Sequence, residues 1–223
     1  MTLIITYNLK WDSDNNQVNN ILLNIKNILN IYDIDFLLFQ EASIYKKLIS
    51  TIDNKKYKYH INKSGPEHMI TFYKVNYEKI NAYDGEFISG RPFCIFLFKN
   101  IILKNKFYLT NIHASHHPNT YLSIIKPIEN ITKYLDNSVS DFILGGDFNR
   151  NIITHISIAT NNSVFKLKNS KKSPNTCCNI DIDKLKYNYD HVLSSTKPIK
   201  KIIYNNFTPA SDHMLVLVEL KDL

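Results

Sequence analysis

The feature that most constrains this chain is a set of short apolar runs that stop on polar residues. TLIITYN ends on Asn8, IDFLLF is followed by Gln40 and Glu41, and KFYLTNIH ends on His113. FILGG is followed by Asp147, Phe148, Asn149 and Arg150. Nearer the C-terminus, NYDHVLSS carries Asp190 and His191, and PASDHMLVLVEL carries Ser211, Asp212 and His213. Runs this short, rich in β-branched and aromatic residues, read as strands. Their lack of in-and-out alternation means that both faces are covered.

Between them the period changes. Residues 15–31 place Val18, Ile21, Leu22, Ile25, Ile28 and Leu29 at helical spacing, which predicts an amphipathic helix. A short helical piece is expected over 43–50 and a helix over 121–135. Further strands are expected over 57–61, 69–73, 77–82, 93–98, 190–194, 199–204 and 214–220. The polar stretch 161–188 reads as loop. Strands outnumber helices, and helices come singly between strand groups. The expected architecture is therefore α/β: two packed sheets flanked by helices in one domain spanning 1–223.

Composition narrows the class. With 223 residues, 44% hydrophobic and 21% charged, the chain can bury a sizeable core without disulfide or metal staples. No apolar run approaches the ~18 residues of a membrane span. The N-terminal apolar stretch lacks a basic leader and a cleavage site, so an intracellular, non-secreted protein is expected. Three cysteines without framework spacing point the same way, and the adjacent Cys177 and Cys178 are expected to be buried and inert. The net charge of +7 raises the prospect of a polyanionic partner such as nucleic acid. Among 27 basic residues only Arg91 and Arg150 are arginines, two positions that suit a planar bidentate donor.

Strand ends in a packed sheet structure converge on one edge. The six polar ends would then share one cleft holding carboxylates, amides and imidazoles. Carboxylates and an amide oxygen are hard ligands, suited to Mg²⁺ or Mn²⁺ rather than zinc. Imidazoles beside them can hydrogen-bond phosphate oxygens or move protons. That equipment fits metal-assisted phosphoester hydrolysis. No phosphate-binding loop of nucleotide-driven motors and no nucleophile elbow is present in the sequence.

In order, TYNLKWD, LLFQEAS, YLTNIHASHH, ILGGDFNR, NYDHVLSS and PASDHMLVL resemble the endonuclease/exonuclease/phosphatase superfamily, which includes deoxyribonuclease I. The resemblance runs from Asn8 to His213 and implies a four-layer αββα sandwich of two mostly antiparallel mixed sheets. It implies that Glu41 is the principal Mg²⁺ ligand with Asn8 beside it, and that Asp212 is a second metal-proximal acid. Asp147 would orient or deprotonate the attacking water, and Asn149 would hold the phosphate or that water. His213 would be the catalytic histidine, oriented by Asp190, and His113 a phosphate-contacting one.

Around that core, Arg91 in ISGRPFCIF resembles a phosphate-reaching arginine of the deoxyribonuclease branch. Arg150 is expected at the substrate. His116 and His117 are expected to extend a basic lip, and Thr176 to be structural. The expected activity is a Mg²⁺-dependent phosphodiesterase, with Mn²⁺ as a substitute, acting on nucleic acid. Two alternatives stay open: hydrolysis of small or lipid-headgroup phosphates, and a non-catalytic nucleic-acid-binding module.

Overall fold

Two β-sheets pack face to face, and their strand order explains why the polar ends meet. The computed structural model describes residues 1–221 apart from 65–66, 118, 135–137, 152–154, 162, 170–174, 180–183, 197 and 205–209. The first half supplies β1 (Thr2–Asn8), α1 (Asn15–Ile31), β2 (Phe36–Gln40), α2 (Tyr45–Thr51), β3 (Tyr57–Asn62) and β4 (Met69–Lys74). It continues with β5 (Tyr77–Glu86), β6 (Pro92–Asn100) and β7 (Lys106–His113). A π-helical turn (Tyr121–Ile125) leads into α3 (Lys126–Thr132) and then β8 (Asp141–Asp147). The remaining strands are β9 (His155–Ala159), β10 (Val164–Lys168), β11 (Asp190–Ser194), β12 (Pro198–Tyr204) and β13 (Leu215–Leu220).

One sheet has the order β12-β13-β1-β2-β4-β3 and the other β5-β6-β7-β8-β11-β10-β9. Each is mixed: β1 runs parallel to β2, β7 runs parallel to β8, and the other pairs are antiparallel. The architecture is the expected four-layer α/β sandwich.

Three apolar layers hold it together. Phe36 and Leu38 face Phe96, Phe98, Phe107, Leu109, Ile143 and Val192 between the sheets. Their neighbours Leu37 and Phe39 face the opposite way and meet Ile21, Ile25 and Ile28 of α1 and Leu48 of α2. Ile124 and Ile128 cover the outer face of the other sheet, against Tyr108, Phe142 and Leu144. This is why FLLFQ carries no alternation: all five residues are buried. α1 begins at Asp14, whose side chain accepts from the Gln17 backbone while the Gln17 side chain returns to the Asp14 N–H, a capping box.

Three sequence expectations shift. The helix expected over 121–135 is a π turn followed by α3. Pro127 lacks the N–H that would continue an α-helical ladder, and the Lys126 N–H reaches back to the Tyr121 carbonyl. The 161–188 stretch, read as loop, contains β10, which pairs with the unexpected β9. These strands are short and only half covered, with burial alternating along His155–Ala159, so they lack the apolar run that marks the central strands. β5 extends to Glu86 instead of stopping at 82.

Glycine is used sparingly and pointedly. At Gly146, with φ +141°, a Cβ would lie 2.1 Å from the Ile112 carbonyl oxygen. No side chain fits where β8 presses against β7.

Candidate active site

Strand register assembles the site. In the seven-stranded sheet His113 stands opposite Asp147, and Asp147 opposite Asp190. In the other sheet Asn8 stands opposite Gln40. The Asn8 amide joins the two sheets: its Nδ2 donates to Glu41 Oε1 at 2.9 Å and to Asp147 Oδ2 at 3.0 Å. The Ser211 hydroxyl donates to the Asn8 carbonyl at 2.8 Å and accepts the His213 N–H at 3.1 Å, which ties the C-terminal motif to β1. Gln40 lies beneath, buried, donating to Thr6 Oγ1 and Asn111 Oδ1, while Asn111 donates to Thr71 Oγ1. That satisfied polar chain spans the space between the sheets under the site.

Asp147 occupies the centre. Its Oδ2 lies 3.6 Å from His113 Nε2 and 3.7 Å from His213 Nε2. Its Oδ1 accepts the Asn149 N–H at 2.7 Å. Burial alone would raise this carboxyl, but the charges of His213 and His113 and the donated hydrogen bonds hold it below the usual carboxylate range. His213 Nδ1 contacts Asp190 Oδ2 at 2.9 Å. Burial disfavours the imidazolium, yet Asp190 first and Asp147 second outweigh it and push His213 up to about 10. Asp190 itself, fully buried, is raised by desolvation. Thr176 supports the strand start, its Oγ1 accepting both the Tyr189 and the Asp190 N–H at 3.1 Å.

The sequence reading missed Glu67. His113 Nδ1 lies 2.7 Å from Glu67 Oε2, and this contact, before Arg91, holds Glu67 below the carboxylate range. Neither ring nitrogen of His113 has a well-directed hydrogen bond, although both are buried. Glu67 stands just ahead of β4 in SGPEHM. No apolar run precedes it, so a search of strand C-termini passes over it. The only signal was a carboxylate two residues before a buried strand.

Other expected residues fall into distinct places. Arg91 reaches the rim, with Nε 3.9 Å from Glu67 Oε2 and a hydrogen bond to the Ala114 carbonyl. His116 is exposed on the loop after β7. Asn149, in a left-handed conformation at φ +51°, donates its side-chain amide to the Ala114 carbonyl at 2.8 Å. Arg150, expected at the substrate, has a guanidinium that donates to the Phe148, Ser115 and His117 carbonyls and to Thr120 Oγ1, which braces the loop that carries His116. Asp212 raises His213 through its charge but belongs to neither of the carboxylate–histidine clusters at this site among the described residues. Cys177 and Cys178, expected to be buried and inert, are joined by a disulfide, with Cys177 buried and Cys178 partly exposed, and Cys177 Sγ lies 3.4 Å from His213 Nε2.

Whether these residues suit a divalent cation is decided by their donor atoms. Glu41, Glu67 and His113 each offer a ligand atom within 4.8 Å of the others, as do Asp147, Asp190 and His213. Glu41 is partly open, its two oxygens fixed by Asn8 Nδ2 and the Trp11 N–H at 2.9 and 2.8 Å. Its backbone is in the left-handed region at φ +50°, a conformation that costs a non-glycine residue energy and is held by its surroundings. Carboxylate oxygens with a buried, poorly satisfied imidazole beside them could hold a divalent metal ion.

No protein-family model matches the sequence, and no curated protein matches it. Solved structures do. An endonuclease/exonuclease/phosphatase family protein from Leptotrichia buccalis C-1013-b aligns over 100% of both chains with a TM-score of 0.75 at 18% identity. Humanized D. rerio TDP2 aligns over 99% of both chains (TM-score 0.73, 12% identity), and D. rerio TDP2 has also been solved complexed with single strand DNA product. A mannosyl-6-phosphatase from Bacteroides thetaiotaomicron VPI-5482 aligns over 100% of both chains (TM-score 0.72, 16% identity). The fold is that of the endonuclease/exonuclease/phosphatase proteins.

Proposed function

We propose that this chain is a divalent-metal-dependent phosphoric ester hydrolase whose substrate is nucleic acid. The observation that carries the reading is Asp147 Oδ2. One buried carboxylate oxygen stands between two imidazoles and an amide that also holds Glu41. Such a constellation orients a water, receives its proton and stabilises charge growing on phosphate oxygens.

Each residue has a place in the proposed reaction. Asp147, kept ionised by its neighbours, orients the attacking water and accepts its proton. His213, held as imidazolium by Asp190, donates hydrogen bonds to the phosphate through Nε2. His113, fixed between Glu67 and Asp147, meets a second phosphate oxygen. Asn149 keeps Asp147 and the Ala114 segment in position. Arg91 and His116 meet flanking phosphates, a contact suited to a guanidinium fork. Glu41 with Asn8 and Glu67 would hold Mg²⁺ or Mn²⁺, with Asp212 as an outer acid. When bound, that ion supplies Lewis-acid stabilisation of phosphoryl oxygens.

Two observations favour a polyanionic polymer: the net charge of +7 and the similarity to a protein solved with single strand DNA product. The similarity to a mannosyl-6-phosphatase favours a second reading, a small sugar phosphate. A labelled panel decides between them: single- and double-stranded DNA, RNA and mannose 6-phosphate, each with Mg²⁺, Mn²⁺ or chelator. Cleavage of oligonucleotides that stops with chelator supports the first reading. Release of phosphate from the sugar alone supports the second, and no hydrolysis of any member rejects both.

A further inference from the structure

Trp11 is the single tryptophan of the chain, and it is 51% exposed. An indole that served only to fill the core would be covered, as the neighbouring Leu9 is at 1% exposure. Its main chain is nevertheless fixed at both ends. The Trp11 N–H donates to Glu41 Oε2 at 2.8 Å, and the Trp11 carbonyl accepts from Ser43 Oγ at 2.9 Å.

The turn that carries it is equally constrained. The Lys10 N–H donates to Asn8 Oδ1, Ser13 caps the Leu9 and Lys10 carbonyls, and Lys10 adopts φ +57°. Residues 8–11 therefore wrap the same carboxylate that is assigned to the cation, Asn8 on one oxygen and Trp11 on the other. The main chain of an exposed aromatic residue is thus fixed one hydrogen bond from the carboxylate assigned to the cation. An aromatic side chain carried at that place offers a flat, apolar face to a partner presented by the substrate.

We propose that Trp11 is a stacking platform for a nucleobase next to the scissile phosphate, so that the substrate is bound as unpaired nucleic acid. A base stacked inside a duplex offers no free face to an indole, whereas every unpaired base does. The net charge of +7 favours a nucleobase on a phosphate chain over a neutral sugar ring, while Lys10 beside Trp11 is itself paired with Asp12 at 3.6 Å. The inference rests on the nucleic-acid reading above and adds to it the strand state and the contact that selects it.

The single tryptophan makes this directly measurable. The protein is titrated, with chelator present, with a labelled single-stranded oligonucleotide and with a sugar-phosphate chain of the same length that lacks bases. Anisotropy of the label reports binding, and indole emission reports stacking. Both chains are expected to bind, and the base-bearing one alone is expected to quench the emission. Equal quenching by both, or binding of the oligonucleotide without quenching, overturns the stacking assignment and leaves the nucleic-acid reading standing. Absence of oligonucleotide binding and cleavage overturns both, and quenching by mannose 6-phosphate alone moves the platform to a sugar.

In kinetics with Mg²⁺, Trp11→Ala is expected to raise KM for the oligonucleotide about 5- to 100-fold, with Trp11→Phe retaining part of the loss. An unchanged KM in Trp11→Ala overturns the proposal. Because the contacts of Trp11 to Glu41 and Ser43 are main-chain, the alanine variant keeps the turn.

Discussion

His213 is a buried imidazole that stays protonated because two carboxylates face it, and this has a consequence for stability. Its folded-state value of about 10 lies above the ordinary histidine value of 6.5. The folded state therefore binds its proton more tightly than the unfolded chain does. The stabilisation is fully present below pH 6.5 and is lost as pH rises toward 10. In the metal-free protein, the difference in unfolding free energy between wild type and His213→Gln is expected to shrink across that window, by at most about 1.4 kcal/mol per pH unit. Urea unfolding at several pH values checks it, and a flat difference would show that Asp190 and Asp147 do not hold the proton there. Most of the site at this scale was legible because its residues stand at or beside strand termini: Asn8, Glu41, His113 and Asp147 close apolar runs, and Asp190 opens one. Glu67 follows no such run. Rarity was the only mark of Arg150, and it did not reveal the backbone carbonyls that the guanidinium serves.

β7, β8 and β11 bring His113, Asp147 and Asp190 abreast, so the closeness of these strands matters as much as the residues they carry. Gly146→Ala would drive a Cβ into the Ile112 backbone at a φ that L-residues avoid. It is expected to destabilise the fold by about 2–4 kcal/mol. At Gly145 the one close contact of a Cβ is the end of the Leu38 side chain at 2.6 Å, with Val192 Cγ2 next at 3.4 Å, so Gly145→Ala is expected to cost less. Thermal unfolding of the two variants side by side checks the ordering, and equal losses would contradict it. Ser211→Ala removes a buried hydroxyl that both donates and accepts between β1 and the His213 segment. A cost of about 1–3 kcal/mol is expected, together with lower turnover, as His213 loses its tether. The central strands and α1 were readable from period and burial. β9 and β10 were not, because short strands at the end of a sheet, with burial alternating along β9, have no continuous apolar run, and the π turn before α3 depends on a hydrogen bond that Pro127 cannot make.

Across the whole molecule, two sheets each contribute half of one centre, and neither half is a site by itself. Asn8 and Glu41 come from one sheet, His113, Asp147 and Asp190 from the other, and His213 from the segment leading into β13. That convergence was legible in outline, since strand ends meet at a sheet edge. The pairing of partners was not, because register between distant strands is set by the packed core. The positive net charge gives a further expectation at this scale. Oligonucleotide affinity should fall about tenfold or more between about 50 and about 200 mM salt, as phosphate contacts release counterions. Binding that ignores salt would remove the electrostatic part of the proposal. The most direct test is the rate of oligonucleotide hydrolysis with saturating Mg²⁺ by wild type and by Asp147→Asn, a substitution that keeps the shape of the central side chain. A fall of about 100-fold or more in a variant that unfolds at the wild-type temperature is expected. A folded Asp147→Asn protein that cleaves within a few-fold of wild type would contradict the assignment of this centre to phosphoester hydrolysis.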